Sequence, residues 1–146
     1  MTWRRLGAST LIAIAAIGFG ACSSSSGGKT VNVVAKDFSL TPEVPSVAAG
    51  TIAFKVHNLG GFGHQMAVVK AADAKDLPTK PDGEVDEAAI PKSNLLGEVL
   101  NVLPGQTKTL KVKLEAGKYV LFCNAVDGST AVHFKRGMYV DFTVTS

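Results

Sequence analysis

Four side chains with affinity for soft or borderline metal ions stand in loops or at strand ends of this 146-residue sequence: His64, Cys123, His133 and Met138. Nine residues separate Cys123 from His133, and four separate His133 from Met138. A thiolate, two imidazoles and a thioether form a mixed donor set that suits copper in both oxidation states. A trigonal site of two His and one Cys with a long axial Met is the geometry of one-electron transfer. Zinc also accepts Cys and His, but it gains little from a thioether and takes four strong ligands.

These side chains act together only if the chain carries them to one place, and the patterning around them predicts how. Ile52, Phe54 and Val56 alternate with Ala53, Lys55 and His57, which reads as a half-buried strand. Leu110, Val112 and Leu114 alternate with Lys111 and Lys113 in the same way, and Val140, Phe142 and Val144 with Asp141, Thr143 and Thr145. Tyr119 to Cys123 is apolar on both faces, as a central strand is. Pro104-Gly105 and Ala116-Gly117 punctuate these runs, so the sequence predicts an all-β, antiparallel Greek-key sandwich with no internal repeat.

Side-chain parity then places the donors. His64 shares a face with Met66 and Val68, Met138 shares one with Val140, Phe142 and Val144, and Cys123 closes the strand begun at Tyr119. Strand ends of this kind converge at one pole of a sandwich, with His133 supplied by the intervening loop. His57 has the parity of Lys55 and is expected in solvent. One stretch does not fit a hairpin. Residues 71–94 are polar, contain Pro78, Pro81 and Pro91, and offer a short helix over Glu84 to Ile90. This insert is expected to cross between the sheets or to form a flap.

The N-terminal end speaks to location. Arg4 and Arg5 precede a short apolar run, Leu6 to Ile17, and small residues lead to Cys22. About a dozen apolar residues is too short to span a bilayer and has the length of a signal-peptide core. Phe19-Gly20-Ala21-Cys22 resembles the lipobox of bacterial lipoproteins. The resemblance implies a signal peptide over 1–21, acylation of Cys22, and a Ser/Gly tether over 22–29 ahead of a domain at 30–146. Two or three acyl chains would hold the protein at a membrane surface, exported and facing the periplasm or the outside. With Cys22 acylated, Cys123 has no partner for an intramolecular disulfide, in a compartment where disulfides are common.

The domain itself resembles the cupredoxins, the blue-copper family. The first ligand motif stands as Phe54-Lys55-Val56-His57-Asn58 followed by Gly63-His64-Gln65-Met66. The second stands as Gly117-Lys118-Tyr119-Val120-Leu121-Phe122-Cys123, then His133, then Gly137-Met138. The resemblance implies a cupredoxin-like sandwich in which His64, Cys123, His133 and Met138 hold one copper ion cycling between Cu(I) and Cu(II). It implies a monomer that exchanges electrons or copper with a protein partner at the cell envelope. The nine-residue spacing between Cys123 and His133 is longer than the two to four residues usual in the family.

Other function classes have less to stand on. From Cys22 onward, 13 Lys and Arg face 12 Asp and Glu, since the leader holds Arg4 and Arg5 and no acid. No basic stripe is present for a nucleic acid. Gly60 to Gly63 opens no helix and is followed by no Lys or Ser, so it is not a phosphate cradle. An enzyme is not expected. A Cys123–His133 nucleophile pair needs an orienting group and an oxyanion hole, and three histidines cannot furnish a multicopper oxidase. Two alternatives to electron transfer remain: a copper carrier or buffer with the same ligands, and a metal-free interaction domain in which Cys123 is a small buried hydrophobe. Phe62 or Met66 is the expected edge for a docking partner.

Overall fold

A computed structural model describes residues 28–146; the leader, Cys22 and most of the tether lie outside the described residues. Among the described residues nine strands form: β1 Lys29–Lys36, β2 Ser39–Pro42, β3 Ser46–Ala48, β4 Gly50–Asn58, β5 His64–Lys70, β6 Leu95–Val102, β7 Thr107–Leu114, β8 Gly117–Phe122 and β9 Tyr139–Thr145. They build a four-stranded sheet in the order β2-β1-β4-β7 and a five-stranded sheet in the order β3-β9-β8-β5-β6.

The sandwich is mixed, where the turn signals predicted antiparallel pairing throughout. β1 runs parallel to β4, and β3 parallel to β9. The reason is a crossing near the N-terminus. After the tight β1–β2 hairpin the chain passes to the other sheet as β3 and then returns as β4 beside β1, so the returning strand points the same way. Such crossings leave no signal in strand periodicity.

Between the sheets lies the expected core. Val31, Val33, Ile52, Phe54, Val56 and Leu114 face Met66, Val68, Leu121, Phe142 and Val144. Phe54 and Phe142 meet edge-on across the gap, with ring centroids 5.5 Å apart. At the β6–β7 turn Pro104 precedes Gly105, which holds φ at +77° while Gln106 N–H donates to Leu103 C=O. That left-handed position requires glycine.

The insert does not cross between sheets. It joins β5 to β6, which are neighbours in one sheet, and folds as a flap over the sheet's outer face. Ala74, Leu77, Val85 and Ile90 cover Ala67, Val69, Val120 and Phe122, with Val132 and Phe134 at the margin. This second apolar layer is why β8 reads as hydrophobic on both faces. The short helix expected over Glu84 to Ile90 does not form: Val85 bridges Thr79 in extended pairing, and only a three-residue 3-10 turn, Glu87–Ala89, follows. Asp86 makes no side-chain cap bond, Pro91 blocks continuation, and burial of Val85 favours the extended path. Another such turn covers Ala74–Asp76.

Candidate metal centre

One pole of the sandwich gathers the start of β5, the end of β8, the segment leading into β9, the β1–β2 turn and the β4–β5 loop. His64 opens β5, where a register shift relative to β6 separates it from Met66. Cys123 follows the last residue of β8. Both are buried, with relative exposures of 1% and 0%.

The long Cys–His segment is not slack chain. Val126 and Val132 form an antiparallel bridge, and Asp127 N–H donates to Ala131 C=O, so the extra residues make a small hairpin. Asp127 Oδ1 accepts from the N–H groups of Ser129 and Ala131 and from the Ser129 hydroxyl, while Thr130 takes a left-handed φ of +65° at the tip. His133 N–H then donates to Ala125 C=O, Met138 N–H to His133 C=O, and Cys123 N–H to Met138 C=O. This chain of backbone bonds returns His133 to Cys123 despite the spacing.

Three donor atoms meet. His64 Nδ1 lies 3.1 Å from His133 Nδ1, and Cys123 Sγ lies 3.5 Å from His133 Nδ1 and 4.0 Å from His64 Nδ1. The point equidistant from all three is about 2.1 Å from each, the circumradius of that triangle, close to the bond lengths of about 2.0–2.1 Å for nitrogen and about 2.3 Å for sulfur at zinc, a first-row metal ion next to copper. Three donor atoms within 4.0 Å of one another around one buried point suit a shared cation. The soft thiolate with two imidazoles fits a single copper ion.

Met138 is fully buried in the same core cluster as Cys123, with its backbone bonded to Cys123 and His133. His57 stays apart from the cluster and contacts Thr107 Oγ1 at 2.7 Å through Nδ1. Phe62 is 40% exposed at the pole, whereas Met66 is fully buried and forms no edge.

Electrostatics at the centre follow from burial. Loss of water pushes the Cys123 thiol upward, partly opposed by the N–H groups of Gln65 and Ala125; the Gln65 N–H lies 3.4 Å from Sγ. Both imidazoles are lowered by burial, and His64 also by repulsion from His133. Asp37 pulls His64 back up, and Asp127 does the same for His133.

Residues around the donors complete this site, and Asp37, Phe38 and Arg136 among them carried no expectation from the sequence. Asp37 Oδ1 lies 3.3 Å from His64 Nε2, and Asp127 Oδ2 lies 3.8 Å from His133 Nε2. Asn58 is fully buried and donates to the carbonyls of Phe62 and Val102 while accepting from Gly60 N–H, which knits the β4–β5 loop beside His64. Asn124 grips the flap through Val85 N–H, Val85 C=O and Glu87 Oε1. Phe38 and Phe62 pack on the His133 ring at centroid distances of 5.3 and 6.1 Å, and the Arg136 guanidinium stacks over Phe38. The Asp127-Gly128-Ser129 turn had a local signal and Asn58 stood in the first ligand motif, whereas Asp37 is 27 positions before His64 in sequence.

Solved structures share this architecture. Reduced auracyanin from Roseiflexus castenholzii matches with a TM-score of 0.58 at 20% identity, covering 82% of this chain and 98% of its own. Auracyanin A, a "blue" copper protein from Chloroflexus aurantiacus, gives 0.57 at 18% identity, covering 82% and 100%. Rusticyanin from Thiobacillus ferrooxidans gives 0.52 at 20%, covering 81% and 79%. At these identities the likeness is one of fold. No curated protein matches the chain. The family model described as a cupredoxin-like domain matches residues 9–132, ending one residue before His133. A sandwich with buried Cys and His donors at one pole, matched over most of its length by that model, makes this chain a member of the cupredoxin-like family.

Proposed function

We propose that this protein is an exported, lipid-anchored copper protein that passes single electrons between protein partners at the cell envelope. The observation that carries the reading is the triangle of His64 Nδ1, His133 Nδ1 and Cys123 Sγ, closed by backbone bonds on the side of the long loop. Copper bound there supplies a one-electron couple between Cu(I) and Cu(II). The chain's own task is to hold the donors still in both states. Cys123 would be the strong donor, Gln65 N–H withdraws charge from its sulfur, and the buried thioether of Met138 would be a weaker fourth donor. Small ligand movement on electron gain or loss follows from the loop bonds that lock residues 123–138.

Complete burial of the donors works against the carrier reading, because handing over an ion requires an incoming ligand to reach it. Phe62, with its ring beside His133 and 40% exposed, and the neighbouring exposed Leu59, Leu103 and Val126 form the edge at which a redox partner would dock. Leader and lipobox support anchoring through Cys22, with the domain standing off the membrane on the Ser/Gly tether as a monomer.

The deciding experiment is a Cu(II) titration of residues 29–146, followed by visible absorption and by electron self-exchange. A strong thiolate-to-copper band that saturates at one equivalent, vanishes in Cys123→Ser and accompanies rapid exchange supports electron transfer. Colourless binding or slow exchange with large rearrangement defeats it and returns the carrier reading.

A further inference from the structure

Each histidine of the centre presents Nδ1 to the sulfur and Nε2 to a carboxylate. His64 Nε2 faces Asp37 Oδ1 at 3.3 Å and His133 Nε2 faces Asp127 Oδ2 at 3.8 Å. Both Nε2 atoms are buried and lack an aligned hydrogen bond, so the carboxylates are the charges placed to answer them. The geometry points to Asp37 and Asp127 as a pair of positioning residues that hold the ring protons on Nε2, keep Nδ1 bare for the metal, and bias the centre toward the more highly charged copper state. This inference rests on the copper reading above.

The two carboxylates come from unrelated loops; Asp37 is 38% exposed but fixed by backbone donors, and Asp127 is buried. Asp37 accepts from Gly61 N–H at 2.9 Å through Oδ1 and at 3.1 Å through Oδ2, and from Phe62 N–H at 3.2 Å. Room for its approach exists only because residue 60 is glycine. A Cβ there would stand 2.3 Å from Asp37 Oδ1 and 2.9 Å from His64 Nε2. Asp127 has a side chain only 2% exposed. Its Oδ1 is occupied by the Ser129 and Ala131 N–H groups, which leaves Oδ2 for the imidazole.

Tautomer choice follows from the inventory of donors. A neutral imidazole carries one ring proton, and a carboxylate beside Nε2 favours the proton there. With both rings in that form, two bare Nδ1 atoms stand 3.1 Å apart beside the sulfur, where they accept from the Cys123 thiol in the metal-free protein and are free to bind a cation in its place. Charge sets the redox bias. A thiolate and two carboxylates together carry three negative charges, so the doubly charged ion is favoured over the singly charged one. Outer carboxylates of this kind commonly alter metal affinity by about 10–100-fold on removal.

The test uses Asp37→Asn, Asp127→Asn and the double variant, with Ser129→Ala as a loop control. In the metal-free wild type, nitrogen–proton NMR of the imidazoles is expected to show both rings protonated at Nε2. In the copper-loaded protein each Asn variant is expected to lose about tenfold in preference for Cu(II) over Cu(I), which is a rise of about 59 mV in a one-electron potential. The double variant is expected to show close to the sum. Ser129→Ala removes one loop bond, leaves the carboxylate facing His133, and should keep the wild-type potential. Rings protonated at Nδ1, or Asn variants with unchanged potentials, overturn the inference. A Ser129→Ala shift as large as that of Asp127→Asn assigns the effect to the loop and overturns the role of Asp127. If the wild type takes up no copper, the copper reading fails, while the NMR result still decides the tautomer claim.

Discussion

Cys123 is a thiol that burial keeps protonated and that a metal must ionise. Its proton is released on copper uptake, so copper affinity is expected to rise with pH across the range in which competing protons bind the thiol. Affinities measured by competition at two pH values check this, and Cys123→Ser should abolish both the coloured site and the pH slope. The histidines act on the metal-free fold in a related way. Both are held below their ordinary value by burial, so at pH below about 6.5 the unfolded chain binds more protons than the native one. Stability is therefore fully present above that value and falls as the pH drops through it, until the native rings themselves protonate. Urea midpoints of the metal-free domain should drop from about pH 7.5 to about pH 5.5. A midpoint that stays level would mean that the native rings take up protons as readily as those of the unfolded chain.

Two elements distinguish this sandwich, and each can be tested at its own anchor. The flap of residues 71–94 seals the outer face of β5 and β8, and Ile90 is one of its buried contacts. Ile90→Ala should cost about 2–5 kcal/mol in denaturant unfolding while the visible spectrum of the copper-loaded protein is retained, because the flap covers the sheet and contributes no donor. The flap nevertheless touches the centre through Asn124, the residue after Cys123, which satisfies Val85 N–H and C=O. Asn124→Ala leaves those buried groups unpaired at a cost of about 1–3 kcal/mol. Unlike Ile90→Ala, it should also broaden or shift the thiolate-to-copper band, since it loosens the backbone next to the sulfur. The hairpin between Cys123 and His133 is the second element. Its internal bonds pre-order nine residues, so the added length contributes structure where free chain would contribute mobility.

For the whole molecule, the donors come from the ends of β5 and β8 and from the loop before β9, so a ligand there ties together segments far apart in sequence and reports on global folding. Ions that bind only the native state stabilise it by mass action. At a free copper concentration about 100 times the dissociation constant the gain is about 2.7 kcal/mol, which for a domain of this size is roughly 10 °C in Tm. Scanning calorimetry with and without a copper chelator measures this, and an unchanged Tm would speak for a metal-free interaction domain. Anchoring belongs to the same scale. In cells, the wild-type chain should sediment with membranes and Cys22→Ser should not, while the copper site, built wholly from residues after position 36, is unaffected.

The amino-acid order by itself determined the sandwich and the position of its site. Period-two alternation marks the faces of β4, β7 and β9, because one face of each meets the core and the other meets water. The same parity sets His64, Cys123 and Met138 at the buried pole, where His64 and Cys123 meet His133 at atomic distance. Local pattern did not reach the parallel pairings, which depend on where the chain crosses between sheets, or the flap, whose apolar residues are too sparse for any period to show. Nor did it reach the return of His133 through a hairpin, since the Val126–Val132 bridge rests on two residues among polar ones. Asp37 is the clearest case. It lies in another loop, next to a phenylalanine in the left-handed region, and meets His64 only because Gly60 leaves room for it. Donor identity is a property of residues and their spacing, whereas the charges around the donors are set by which loops tertiary packing brings together.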